Sequence, residues 1–214
     1  MPGIANGQRT RVIRMDHIIC AVKRLQKMTL HSGCEDGNIA LSVNPDRTVC
    51  QFEKGACMEA LFGGRVAEFV TFEPTRATTR LGFLFDAALE KPAHRAAACA
   101  IINVMAGFLC LTRVRRSCSR ESHEACRTAL LKEVGERQVG GLEIPAHVLE
   151  SFPYRNPGKG DGDVILVSGE GLISPECKAI LDGPAGERVL LVGPSTAGVA
   201  ALEKIPHWCP YGKG

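Results

Sequence analysis

One stretch constrains the fold of this chain more than any other: residues 163–198, which have the pattern strand, glycine-rich loop, helix, strand and small-residue loop. Val164 to Val167 and Val189 to Val192 are short, unbroken apolar runs, a pattern typical of strands covered on both faces. Each run ends at a glycine-containing turn. The stretch therefore predicts a βαβ unit of a parallel sheet, with both loops at the carboxyl edge, where open α/β sheets bind ligands.

The two loops after these strands form the predicted binding site. The first loop leads into a helix that starts at Ser174-Pro175, and free N–H groups at a helix start attract phosphate or carboxylate. Glu170 in that loop favours a cationic group, a metal or a ribose hydroxyl instead. Either loop could also be a purely structural turn. The predicted ligand-binding residues are Ser168, Gly169, Glu170, Gly171, Gly193, Pro194, Ser195, Thr196 and Asn103.

Residues 1–112 have the pattern of a small α+β domain. Their apolar residues predict an amphipathic helix over 12–30, a hairpin over 39–53 and a strand from Val66 to Phe72. Two helices are predicted to follow, over about 77–89 and 92–112, the second opening at Pro92 because proline is favoured at the first helical position.

The segment 113–120 is rich in charge and serine and marks the predicted boundary with a second, Rossmann-like domain over 113–214. The predicted elements of this domain are a helix (121–136), a strand (138–144), a turn-rich loop (151–162), the βαβ unit and a short helix (198–204). The predicted fold class is therefore α/β, with a small α+β domain followed by a parallel-sheet domain.

Composition limits the partners and the cellular compartment that we expect for this chain. The formal charge of +3 in 214 residues predicts no nucleic-acid or membrane partner. The N-terminus carries charge without a following apolar run, so no signal peptide is expected. Ten cysteines are scattered through helical and strand-like patterns, which favours free thiols in a reducing cytoplasm, as in an anaerobe, and a core position for most of them.

Two segments carry a resemblance to a known family. The strand, glycine turn and leucine over 163–172, and the Gly-Pro-Ser-Thr loop ending the strand over 190–196, resemble the heavy-metal chelation family of uncharacterised proteins. The alanine-rich helix that contains Asn103 is similar to one upstream in that family. The resemblance implies an enolase-N-terminal-like domain followed by a Rossmann-like domain, with a transition metal or other small ligand between them.

The chain also offers thiol and imidazole metal ligands. Cys177 lies in the first turn of the predicted helix after Ser174, and His207 and Cys209 form an H-x-C pair in the tail, ligand types that suit zinc or a softer metal. Further ligands would have to come from Cys118, His123 and Cys126 or from another subunit. The alternatives are a core position for Cys177, a tail that packs through Trp208, and an Asn103 that caps a backbone group between the domains.

Three functional hypotheses follow. The first is binding or handling of a metal ion or a metal-containing small molecule in an interdomain cleft. The second is an enzyme that acts on a nucleotide or other phosphorylated metabolite, although no residue pattern assigns a catalytic side chain. The third is a subunit without a ligand that forms homo-oligomers through the apolar helix over 92–112 and the Trp208 tail.

Overall fold

Two sheets organise residues 16–214, the part of the chain that the structure, a computed structural model, describes. The first sheet is antiparallel and contains β1 (Asn38–Asn44), β2 (Ala56–Phe62), β3 (Arg65–Thr71) and β4 (Ala77–Arg80) in the order β3-β2-β1-β4. The second is parallel and contains β5 (Val139–Leu142), β6 (Arg155–Lys159), β7 (Val164–Val167), β8 (Val189–Val192) and β9 (His207–Trp208) in the order β6-β5-β7-β8-β9. The predicted α/β fold class is confirmed.

Helices pack on both sheets. They are α1 (His17–Thr29), α2 (Leu81–Phe85), α3 (Pro92–Phe108), α4 (His123–Val134), α5 (Ala146–Leu149), α6 (Gly169–Ile173), α7 (Pro175–Asp182) and α8 (Ala197–Glu203). Asp16 caps α1 by accepting hydrogen bonds from the N–H groups of Ile18 and Ile19, and it pairs with Arg95 at 2.8 Å. Pro92 opens α3 as predicted. Among the described helices, none has the length and apolar character to cross a membrane.

The parallel sheet is covered on both faces, as its apolar strands predicted. Along β7, Ile165 and Val167 belong to a core cluster shared with α3 and α8, whereas Val164 and Leu166 face a second cluster formed with α4. The first cluster also contains the buried face of the antiparallel sheet, including Phe69. One continuous hydrophobic core therefore spans both predicted domains.

The antiparallel sheet differs from the predicted hairpin. The partner of β1 is β2, not residues 48–52, and Val43 lies opposite Met58. Residues 48–52 instead form a loop whose Cys50 and Phe52 pack in the cluster beside α4. The helix predicted over 77–89 is also wrong at its start, because β4 completes the sheet by pairing with β1 before α2 begins.

The parallel domain gains two edge strands where the sequence indicated loops. β6 lies inside the predicted loop over 151–162, and β9 lies in the tail. The helices predicted over 121–136 and 198–204 correspond to α4 and α8. The start of the first predicted helix, residues 12–15, lies outside the described residues.

Candidate functional site

The free edge of β3 meets the carboxyl edge of the parallel sheet. Three alternate N–H groups along β3 and just beyond it find acceptors outside their own sheet. Glu68 N donates to the carbonyl of Arg115 at 2.9 Å, and Val70 N donates to Ser195 Oγ at 2.9 Å. Phe72 N donates to Glu170 Oε2 at 3.2 Å. The exposed amides of an edge strand are therefore satisfied by two side chains from the predicted binding loops.

Asn103 connects the same elements from inside the core. Its side chain is completely buried, and its Nδ2 lies within hydrogen-bond distance of the carbonyls of Glu68, Pro194 and Ser195, at 3.1, 3.3 and 2.8 Å. Its Oδ1 accepts from Gly198 N at 2.8 Å. Asn103 is therefore a cap between the two parts of the chain, which corrects its assignment as a ligand contact.

The two predicted loops do lie side by side, but without an open space between them. A Cβ atom built on Gly169 would lie 2.5 Å from Ser195 Cβ. Ser168, Ser195 and Thr196 are completely buried. Thr196 Oγ1 donates to the backbone within its own loop, and Ser168 Oγ donates to the carbonyl of Glu143 at 2.9 Å. The two loops are adjacent, as predicted. Their polar groups form hydrogen bonds with other parts of the chain, because β3 and α3 fill the cleft between the loops.

Glu53 lies directly over the end of β8 and was missed by the sequence analysis. Its Oε1 accepts from Ser195 N at 3.1 Å, whereas its Oε2 is buried without a hydrogen-bond partner. Gly193 has a φ of +83°, and a Cβ there would lie 2.6 Å from Glu53 Oε1, so glycine is required at that position. Burial raises the pKa of Glu53 to about 8, against the opposing effect of its hydrogen bonds with Ser195.

The C-terminal tail, residues 205–214, passes beside the same end of β8. Trp208 pairs with Val192 at the edge of the parallel sheet, and its carbonyl accepts from Gly193 N at 3.2 Å. A turn follows from Cys209 to Gly212, after which Lys213 forms an antiparallel bridge with Arg116. The bridge brings the tail alongside the segment that contains Cys118.

Four free cysteines lie in the segments that meet at this end of β8, which we call the junction: Cys50, Cys118, Cys126 and Cys209. The first three are no more than 6% exposed, and Cys209 is partly buried. Burial raises the pKa of the Cys209 thiol, and the neighbouring groups of Glu53, Cys126 and Cys118 raise it further. Burial likewise raises the pKa of Cys50, with further contributions from Glu53, Cys209 and Cys118. Glu53 and Cys118 thus each disfavour ionisation of both Cys50 and Cys209.

Aromatic and polar groups enclose the thiols. Cys50 and Cys126 belong to the apolar cluster that contains Phe52, and Trp208 packs against it. Gln51 and Trp208 lie close enough to Cys126 to lower its pKa in part, although burial dominates and raises it. Trp208 Nε1 is buried and makes no hydrogen bond of normal geometry. The surroundings therefore limit the access of water to the thiols.

Cys177 is separated from this junction. It lies in α7 with 1% exposure, in the core cluster on the opposite face of the parallel sheet, where its nearest charged groups are Asp16 and Arg95. Its assignment as a metal ligand beside Cys209 is therefore wrong, and it forms part of the buried stripe of α7. His207 does lie near the junction, but its Nε2 hydrogen-bonds to the carbonyl of Gly193 at 2.9 Å.

A second group of potential metal ligands lies on the antiparallel sheet. Among the described residues, Cys57, Glu59 and Glu68 alone place three donor atoms within 4.8 Å of one another. Both oxygens of Glu68 are already used, one by Arg47 and the other by the N–H and hydroxyl of Ser117 at 2.8 Å. Arg47 supplies the compensating cation, so we interpret this group as a structural ion pair.

An open pocket of about 300 Å³ lies further along the carboxyl edge, beside β5 and β6. Its charged lining comprises Lys54, Glu143, Glu150, Arg155 and Lys159, and its apolar wall includes Ile144 and Leu149. Glu143 has a φ of +54°, an uncommon conformation for a residue other than glycine. Its carboxylate lies 3.2 Å from Lys159 Nζ and 3.9 Å from Lys54 Nζ.

Comparison with known proteins adds no assignment: no family model, curated protein or solved structure matches the chain. The resemblance to the heavy-metal chelation family remains a prediction.

Replacing Asn103 tests the cap between the sheets. Asn103→Leu keeps the side-chain size but leaves three carbonyls and the Gly198 N–H without their buried partner. We expect the free energy of unfolding in urea to fall by about 2–4 kcal/mol. Asn38→Leu, at an exposed position, should change it by less than about 0.5 kcal/mol. Equal stability of the two variants would show that Asn103 does not hold the sheets together.

The buried Glu53 carboxyl predicts a pH-dependent stability in metal-free, reduced protein. The folded pKa of about 8 exceeds the ordinary value of 4.5, so between these pH values the folded state keeps a proton that the unfolded state has lost. Stability should therefore fall as the pH rises from 4.5 to 8. Glu53→Gln should be more stable than the original protein by a margin that grows over this range in urea titrations. Glu124→Gln, at an exposed position, should show no such trend, and a constant margin for Glu53→Gln would contradict the assignment.

Proposed function

We propose that the protein binds a thiophilic metal ion or a small metal-containing group through Cys50, Cys118, Cys126 and Cys209. The observation that carries the proposal is that four segments, each with one free cysteine, meet beside the end of β8. These segments are the loop after β1, the stretch before α4, the first turn of α4 and the tail.

The chemistry of the thiols supports a soft metal. Thiolates select zinc, copper(I) and iron–sulfur groups over magnesium or calcium. Because burial raises the pKa of these thiols, they are protonated at neutral pH without a metal, and metal binding must release protons. Metal affinity should consequently increase with pH.

Glu53 supports the same proposal. Its unpartnered Oε2 is a buried acceptor that a metal, or a group bound to one, would satisfy. In this proposal the Gly-Pro-Ser-Thr loop contacts the site indirectly: Ser195 N holds Oε1 of Glu53, and Gly193 allows the carboxylate to approach the backbone. The proposed site thus lies next to the predicted loops, not between them.

The pocket beside β5 favours a second candidate, binding of a small anionic or phosphorylated metabolite. The chain continues from β5 to α5 on one face of the sheet, and from β7 to α6 and α7 on the other. Ligands of open α/β sheets bind at such a switch point. Lys54, Arg155 and Lys159 supply positive charge there, which Glu143 and Glu150 partly offset, and the apolar wall accommodates an uncharged part of the ligand.

Metal analysis of protein purified without oxygen tests the first candidate. We expect a thiophilic metal bound in at least stoichiometric amount, and at least a tenfold loss in Cys209→Ser and Cys126→Ser, because each removes one thiolate ligand. Cys177→Ser, a buried thiol on the other face, and Cys110→Ser, an exposed one, should keep the metal. Absence of metal and of uptake, or equal loss in the Cys177→Ser control, would reject the proposal.

Thermal-shift measurements with adenosine monophosphate and with inorganic phosphate test the second candidate. A ligand present at 100 times its Kd should stabilise the protein by about 2.7 kcal/mol. We expect Lys54→Gln to reduce the shift, because it removes a charge that lines the pocket, and Lys132→Gln on the exposed side of α4 to leave it unchanged. No shift with either probe would lead us to abandon this candidate.

A further inference from the structure

An apolar pocket lies at the edge of the antiparallel sheet that is remote from the parallel sheet. At one edge, β3 docks on Ser195 and Glu170, whereas β4 forms the opposite edge. The pocket has a volume of about 340 Å³ and opens to solvent between β4, α2, the loop after α2 and α3. It is therefore separate from the metal and anion sites proposed above.

Buried core residues form part of the wall of this pocket. Leu41, Leu84 and Ile101 are no more than 6% exposed and belong to the same core cluster as Phe69. Much of the remaining wall is alanine, whose side chain ends at Cβ and leaves the space open: Ala77, Ala87, Ala88, Ala97 and Ala98. The pocket is thus an open space beside a packed core, bounded mainly by apolar atoms.

The polar groups of the pocket are few and uncharged. Among the described residues that line it, none is Asp, Glu, Lys or Arg. Thr79 Oγ1 donates to the carbonyl of Arg80 at 3.4 Å, and His94 Nδ1 lies 3.2 Å from the carbonyl of Ala88. The Thr75 hydroxyl and His94 Nε2 form no hydrogen bond with the described residues. Because burying an unpaired charge is costly, this lining favours an uncharged ligand with one hydrogen-bonding group.

The volume of the pocket limits the size of such a ligand. A cavity of about 150 Å³ with apolar walls holds benzene. The pocket beside β4 is roughly twice as large, which suits a group of about ten carbon atoms. Phe83 lines the pocket and, at 68%, is the most exposed of the large hydrophobic side chains described. A ligand in the pocket would remove part of this ring from water, which favours binding.

We propose that this pocket binds an uncharged, mainly apolar small molecule of about ten carbon atoms, an inference independent of the proposed metal and anion sites. The body of the ligand contacts the alanine-rich wall and Phe83, and its hydroxyl or carbonyl group hydrogen-bonds to Thr75 or His94. A second copy of the chain is a less suitable occupant. Pairing of β4 with its own copy would bring Arg76 and Arg80, which flank the strand, close to their counterparts.

Isothermal titration calorimetry of the full chain with three probes tests this inference. We expect saturable binding, with one molecule per chain, of 2-naphthol if the site takes fused rings or of 1-octanol if it takes an alkyl chain. The third probe, 2-naphthoate, resembles 2-naphthol in size and shape but is negatively charged at pH 7. It should bind at least about tenfold more weakly than 2-naphthol or 1-octanol, whichever binds, because the pocket offers no cation.

Variants of the wall locate the bound probe. Ala97→Phe places a ring in the pocket and should weaken binding at least about tenfold, because the ring and the probe compete for the same space. Ala88→Leu, at an exposed position of the wall, narrows the pocket with less effect on folding and should weaken binding about threefold. Ala125→Phe, at an exposed position of α4, should bind as the unmodified protein does. Circular dichroism identifies any variant that fails to fold.

Four results would overturn the inference. They are no saturable binding of either uncharged probe, binding of 2-naphthoate as tight as that of the uncharged probe, unchanged affinity in both Ala97→Phe and Ala88→Leu, and a dimer that Ala97→Phe disrupts while no probe binds. The last result would assign the pocket to a second copy of the chain. Each would leave the metal-binding proposal intact, because that proposal depends on the metal content of the protein and not on these probes.

Discussion

The edge of β3 is the constraint on which the rest of the structure depends. An edge strand exposes a row of N–H and C=O groups that must find partners. In this protein Ser195, which follows β8, and Glu170, in α6 after β7, accept hydrogen bonds from the N–H groups of Val70 and Phe72. The edge of β3 thus occupies the place where a ligand would bind in an isolated parallel sheet. It also brings the loop that follows β1 over the carboxyl edge, with Cys50 and Glu53 beside the tail.

Buried hydrogen bonds connect the edge of β3 and Ser195 to the segments of the candidate site. Glu68 on β3 holds the N–H and hydroxyl of Ser117, which positions the adjacent Cys118. Ser195 holds Glu53 through its N–H group. Such groups are costly unless they are paired, so their network specifies one arrangement of the two sheets. These hydrogen bonds therefore position the segments that contain Cys50 and Cys118.

The fold was largely predictable where the signal is local. Unbroken apolar runs identified β7 and β8, and Pro92 identified the start of α3. The pairing of β1 with β2 was not predicted, because the turn signal at Asn44 favoured a short hairpin, whereas the loop extends across to the other sheet. For the proposed site, the sequence named the tail and the helix starting at His123 as candidate sources of ligands. Cys50 and Glu53 were missed, since no spacing along the chain reveals contacts made by a long loop.

Anomalous diffraction at the zinc, copper and iron absorption edges, from crystals of protein purified without oxygen, tests the central claim most directly. We expect one strong peak within bonding distance of the sulfur atoms of Cys50, Cys118, Cys126 and Cys209, with β3 still docked on Ser195. A metal held between residues 168–171 and 193–196 with β3 displaced, or four thiols turned away from one another with no metal, would contradict it.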